Sequence, residues 1–156
     1  MPQTTLEPHK SSARVFNRAG VRLEVAQDVI GAIISHFAEL IGQEREQVSP
    51  RQDRIAEAQR LISELKDMRE ELDTRQPVSI EAAIKWLAPF ARHLFANTSD
   101  NTEAYRRATQ FDQANASLRL EGQVMSIDDL VVQARVADGL WTTDQAVSWY
   151  RERAKQ

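Results

Sequence analysis

Residues 21–43 read VRLEVAQDVIGAIISHFAELIGQ, and this stretch decides the fold. Its apolar residues Leu23, Val25, Ala26, Val29, Ile30, Ile33, Ile34, Phe37, Leu40 and Ile41 recur at helical spacing rather than in the alternation of a strand. The stripe is wide enough to be buried from more than one side. A helix of this kind needs others to cover it, and the chain downstream supplies them. Upstream, residues 1–19 are expected to form a flexible tail, with Pro2, Pro8, Ser11 and Ser12 and little periodicity.

Ser49-Pro50-Arg51-Gln52 predicts the start of a second helix, with Ser49 as N-cap, Pro50 as first helical residue and Gln52 closing a capping box. It is expected to run to about Leu72, with Ile55, Ala58, Leu61, Ile62, Leu65 and Leu72 on one face. The other faces carry Glu64, Lys66, Asp67, Arg69, Glu70 and Glu71 and read as solvated surface. Ser79 is expected to cap a third helix from Ile80 to about Ala96, kinked at Pro89. Its apolar residues are Ile80, Ala83, Ile84, Leu87, Phe90, Ala91, Leu94 and Phe95.

The polar residues 97–101, NTSDN, read as a linker. A fourth helix is predicted from Thr102 to Glu121, with a thin apolar line of Ala104, Ala108, Phe111 and Leu118 beside Tyr105. Ser126 should cap a fifth helix, where Asp128 and Asp129 suit the positive end of the dipole, and Asp138-Gly139 should end it. Thr142 or Thr143 opens a sixth, with Ala146, Val147 and Tyr150 on its inner face. The expected fold is therefore all-α, with about six helices and no strand. It divides into a three-helix domain over residues 20–98 and a three-helix module over residues 101–156.

Composition agrees. The chain has 156 residues, 42% hydrophobic and 28% charged, enough for one ordinary domain or two very small ones. Five glycines and five prolines leave little material for a turn-rich β fold. With no cysteine there is no disulfide, no thiol nucleophile and no thiolate zinc site. A net charge of −3 and a pI near 5.7 provide no global attraction to nucleic acid. Arg151, Arg153 and Lys155, near Trp149 and Tyr150, make only a modest basic cluster. The polar first residues do not resemble a secretory signal, and no uninterrupted apolar run reaches the roughly 18 residues of a span. A soluble protein of the cytoplasm is expected. His9, His36 and His93 fall in separate segments, without a second ligand at metal or catalytic spacing, and no glycine-rich phosphate loop, G-x-S-x-G or H-E-x-x-H is present. No enzyme, cofactor or metal is expected.

The functional signal is the stretch Asn115-Ala116-Ser117-Leu118-Arg119-Leu120-Glu121-Gly122. Ser117 and Glu121 are one helical turn apart on a single face, and Gly122 is placed to stop the helix. A carboxylate in the last turn is disfavoured by the helix dipole by about 0.3–1 kcal/mol, so its presence implies a cation elsewhere. The stretch resembles the inhibitory motif (S/T)-x-x-x-E-(G/N) that restrains Fic-domain adenylyltransferases. Ser126 and the helix after it, through Val136-Ala137-Asp138-Gly139-Leu140-Trp141-Thr142-Thr143-Asp144-Gln145-Ala146, are similar to the tail of the small VbhA-like antitoxins. Trp141 and Trp149-Tyr150 depart from that pattern. The resemblance covers residues 101–156.

The resemblance implies an antitoxin whose partner is a Fic-domain toxin on a separate chain, carrying an HPFxxGNGRxxR motif and transferring AMP from ATP to a target hydroxyl. It implies that Glu121 pairs with the second arginine of that motif and occupies the space of the γ-phosphate. Ser117 would then bond near the phosphate-binding loop, and Gly122 would end the helix where bulk is not allowed. Asn115, Leu118 and Arg119 fall in the same partner-binding segment. Residues 20–98 match no named family, and three helices there could clamp the toxin, mediate self-association or dock elsewhere. The apolar excess from Val29 to Ile41 is available for such contacts. Two other readings stand beside this one: a helical structural or adaptor protein without an enzyme partner, and a DNA-binding autoregulator, against which the acidic pI weighs.

Overall fold

In the computed structural model, which describes residues 18–96 and 102–156, the wide stripe of the first helix is buried from two sides. Helix α1 (Arg18–Arg45) packs against α2 (Gln52–Glu70) and α3 (Pro77–Phe95). The chain continues as α4 (Thr102–Leu120), α5 (Ile127–Ala137) and α6 (Thr143–Arg153), with no strand among the described residues. The fold is all-α, as the periodicity predicts. The expected linker at 97–101 lies outside the described residues, as does the expected tail, except that Arg18 and Ala19 already belong to α1.

The core is built from one stripe of each major helix. Ile30, Ile33, Phe37 and Ile41 of α1 meet Ile55, Ala58, Leu61 and Leu65 of α2 and Leu87 and Phe90 of α3. Ile127, Val131 and Ala134 of α5 belong to the same cluster, so the second half of the chain contributes directly to the core of the first. Each large side chain so buried contributes about 1.5–3 kcal/mol. The apolar excess of α1 is absorbed in this packing. Val29, Ile34 and Leu40 are partly buried against the cluster, and Val21 is the one large apolar side chain of α1 that is exposed. By length and composition α1 also meets the requirement for a membrane span, with an 18-residue window of mean hydropathy 1.3.

Two helix starts differ from the sequence expectation. Ser49 does not cap α2, and Pro50 lies before it. Arg51 is the N-cap residue, and its side chain caps nothing. Buried Glu44, at the end of α1, instead accepts from the Arg51 backbone N–H at 3.4 Å and pairs with the Arg54 guanidinium at 2.6 Å. An acceptor from the preceding helix thus does the work of a cap. Similarly, α3 starts two residues before Ser79. Pro77 takes the first helical position and Gln76 flanks it, since proline has no N–H to leave unpaired there. Helix α3 continues through Pro89.

The C-terminal starts follow the sequence. Ser126 and Asp129 close a capping box on α5, and Thr142 and Gln145 close one on α6. Of the residues expected on the inner face of α6, Ala146 is buried, whereas Val147 and Tyr150 are 40% and 39% exposed. Trp149 does the anchoring instead. It stacks on Trp86 of α3 with centroids 5.6 Å apart, Trp141 approaches the same ring at 5.9 Å, and Arg135 lies over both Trp86 and Trp141. The Trp86 Nε1–H donates to Asp128 at 2.7 Å. The tryptophans that depart from the antitoxin pattern are therefore the contacts that dock the tail on the N-terminal helices. Arg153, from the small basic cluster, is also engaged, against Trp149 and Asp128.

Candidate functional site

The motif lies at the corner between α4 and α5. The last turn of α4 closes in a Schellman arrangement: the Gly122 N–H donates to the Arg119 carbonyl at 3.0 Å and the Gln123 N–H to the Leu118 carbonyl at 2.9 Å. This turn requires a left-handed residue, and Gly122 supplies it with φ +76°. The Glu121 N–H still bonds to the Ser117 carbonyl at 3.2 Å, so the two side chains keep their one-turn relation.

The side chains of the motif divide into two groups. Ser117, Leu120, Glu121, Gly122, Gln123 and Val124 are exposed, with Leu120 at 87% and Val124 at 67%. The Ser117 hydroxyl donates to the Gln113 carbonyl at 3.3 Å. Among the described residues the Glu121 carboxylate has no hydrogen bond and no ion pair. The second group points inward. Asn115 is buried and exchanges two amide hydrogen bonds with Gln133 of α5, at 2.7 and 2.9 Å. Arg119 pairs with Glu57 of α2 at 2.8 Å, both side chains 17% exposed. Leu118 is partly buried. Asn115 and Arg119, expected to face a partner, hold α4 onto its own protein.

The corner is fixed on its other side too. Arg60 of α2 donates to the Met125 carbonyl, and the Ile127 N–H donates to the Glu64 carboxylate at 3.1 Å. Glu57, Arg60 and Glu64 lie three and four residues apart, one face of α2, and grip Arg119, Met125 and Ile127 in chain order. Glu64 is thus not the solvated charge the sequence suggests. It is one of three ties that bracket the exposed turn. A charge-rich helix face gives no local sign of which charges meet a distant segment, so sequence reasoning missed all three.

Among the described residues no group of three His, Cys, Asp or Glu side chains is placed to hold an ion. His93 pairs with Asp138 at 2.8 Å. His36 sits edge-on to Phe37 and Phe95, and burial lowers its imidazole below the ordinary 6.5, with Glu39 offsetting part of the effect. His9 lies outside the described residues. Against protein-family models, curated proteins and solved structures, nothing matches this chain.

Proposed function

We propose that this chain is an antitoxin that binds a Fic-domain adenylyltransferase toxin and blocks productive ATP binding with the Glu121 carboxylate. The observation that carries this reading is the state of Glu121: exposed and without a partner among the described residues, on a turn tied down on both sides. The backbone that carries this carboxylate is already fixed, so only the side chain has to be ordered when a guanidinium closes on it. An arginine–carboxylate pair is bidentate and charge-assisted. It competes with the terminal phosphate for the same guanidinium, and ATP left in another pose is not aligned for in-line attack at its α-phosphate. Suppressing transfer a hundredfold requires only about 2.7 kcal/mol.

On this reading the catalytic groups and the nucleotide belong to the partner, and the chain acts in the cytoplasm beside it. Ser117 lies one turn behind Glu121 on the exposed face, free to swing from its own backbone bond to a partner group. Leu120 and Val124 offer apolar surface on either side of the carboxylate. Asn115 and Arg119 position α4 through Gln133 and Glu57. Co-expression with the cognate Fic protein tests the reading, with AMPylation of its target as readout. Glu121→Gly is expected to restore AMP transfer while the complex still elutes as one species. Undiminished inhibition by the variant would remove Glu121 from this role.

A further inference from the structure

Between α4 and the first three helices lies a cavity of about 430 Å³. Its volume falls within the roughly 300–1,000 Å³ of small-molecule sites. Phe37 and Leu40 of α1, with Phe90 and Leu94 of α3, give it an apolar floor. Helix α4 forms its roof, because that helix packs chiefly on α5 and stands off from the first three helices. The small side chains of Ala108 and Thr109 leave the space under the roof open.

The polar groups around the cavity select a ligand class. Arg54 is held by Glu44 at 2.6 Å and His93 by Asp138 at 2.8 Å. Asn115 and Gln133 satisfy each other, and the Thr109 hydroxyl donates to the Tyr105 carbonyl at 2.9 Å. Asp112 is exposed, with Arg54, His93 and Arg119 around it. Burial lowers the His36 imidazole below its ordinary range, so it adds no charge at neutral pH. Arg119 differs from these. Glu57 accepts from its Nη1 at 2.8 Å, but its Nε–H is buried and has no acceptor among the described residues. A buried donor left without an acceptor is costly, so a ligand that brings one is favoured. A cation brings none. An anion would set a further negative charge beside Glu57 and Asp112. A neutral carbonyl oxygen satisfies the donor and disturbs no existing pair.

We infer that this cavity binds a small neutral ketone or amide with an apolar body, the body on the Phe37 and Phe90 floor and the carbonyl oxygen accepting from the Arg119 Nε–H. The inference rests on the cavity alone and stands whether or not Glu121 acts on a Fic enzyme. Amide and side-chain chemical shifts of the full chain test it in titrations with three molecules of one shape. Benzylacetone carries the neutral carbonyl, hydrocinnamate a carboxylate in its place, and butylbenzene no acceptor. Benzylacetone is expected to give saturable shifts in α4 and around Phe37 and Phe90, and to bind about tenfold more tightly than either counterpart, as a hydrogen bond from a charged donor is worth. Arg119→Lys keeps a cation for Glu57 and removes the Nε–H, so the advantage of benzylacetone over butylbenzene should vanish. Ala108→Phe, which places a ring in the space from the roof, should remove the saturable shifts. The comparison of the three molecules on wild type requires no variant to fold. The inference fails if benzylacetone does not saturate, if hydrocinnamate or butylbenzene binds as tightly, if Arg119→Lys leaves the ketone's advantage intact, or if Ala108→Phe retains wild-type affinity.

Discussion

Ile127→Ala probes whether the two halves of the chain share one core. Ile127 is the first residue of α5 and is fully buried in the cluster that holds Ile33, Leu61, Leu65 and Leu87. The substitution removes three carbons, worth about 2.4 kcal/mol at about 0.8 kcal/mol for each buried methylene. The space left behind adds to this, for a total of about 3–4 kcal/mol within the 2–5 kcal/mol range of such truncations. For a chain of this length that lowers the melting temperature by about 6–16 °C. Circular dichroism at 222 nm would follow all the helices. Tryptophan fluorescence would follow Trp86, Trp141 and Trp149, whose cluster forms only while the tail is docked on α3. Both signals should move together in wild type and variant. A shift under about 2 °C, or a fluorescence transition that precedes the loss of helix, would refute a shared core. Leu120→Ala, at an 87% exposed position, serves as the near-neutral control.

Arg119→Ala and Glu57→Ala, alone and combined, should give a coupling of about 0.5–2 kcal/mol in a double-mutant cycle by chemical denaturation. Additive effects would mean the pair does not hold α4. Gly122→Ala should cost about 1–2 kcal/mol, because its positive φ strains any side chain although nothing lies within 4 Å of the new Cβ. Thermal unfolding checks this. Glu44 bears on acid stability. Burial raises its carboxyl, but the Arg51 N–H bond and the charges of Arg54 and Arg51 outweigh it, leaving the pKa below the ordinary 4.5. A lowered folded pKa stabilises above about 4.5, and the contribution is lost as pH falls through the folded value. The melting-temperature gap between wild type and Glu44→Gln should therefore be full near neutral pH and shrink below that point; a gap constant from pH 7 to 3 would contradict it.

What could be read from the sequence was what local chemistry controls. Apolar spacing of three and four located the helices, the Ser126 and Thr142 caps sit at their starts, and Gly122 and Gly139, both at positive φ, sit at their ends. The starts of α2 and α3 differ from what local patterning predicts, because the acceptor at α2 is Glu44, across the loop at the end of α1, and Pro77 takes the first position of α3. Within the motif, spacing put Ser117 and Glu121 on one face. It could not tell that Asn115 and Arg119 turn inward, since that depends on Gln133 and Glu57 arriving from other helices.

The most direct test of the central claim isolates the charge of Glu121 from its shape. With the cognate Fic protein purified in complex with this chain, AMP transfer from labelled ATP would be compared for wild type and Glu121→Gln. The amide keeps the side chain's size but gives up the bidentate carboxylate. Because the residue is exposed and carries no internal bond among the described residues, the substitution should leave the melting temperature unchanged or slightly raised. The account predicts that the Glu121→Gln substitution raises transfer by about a hundredfold or more, in a complex that stays intact. Transfer as low with the amide as with the carboxylate would contradict it.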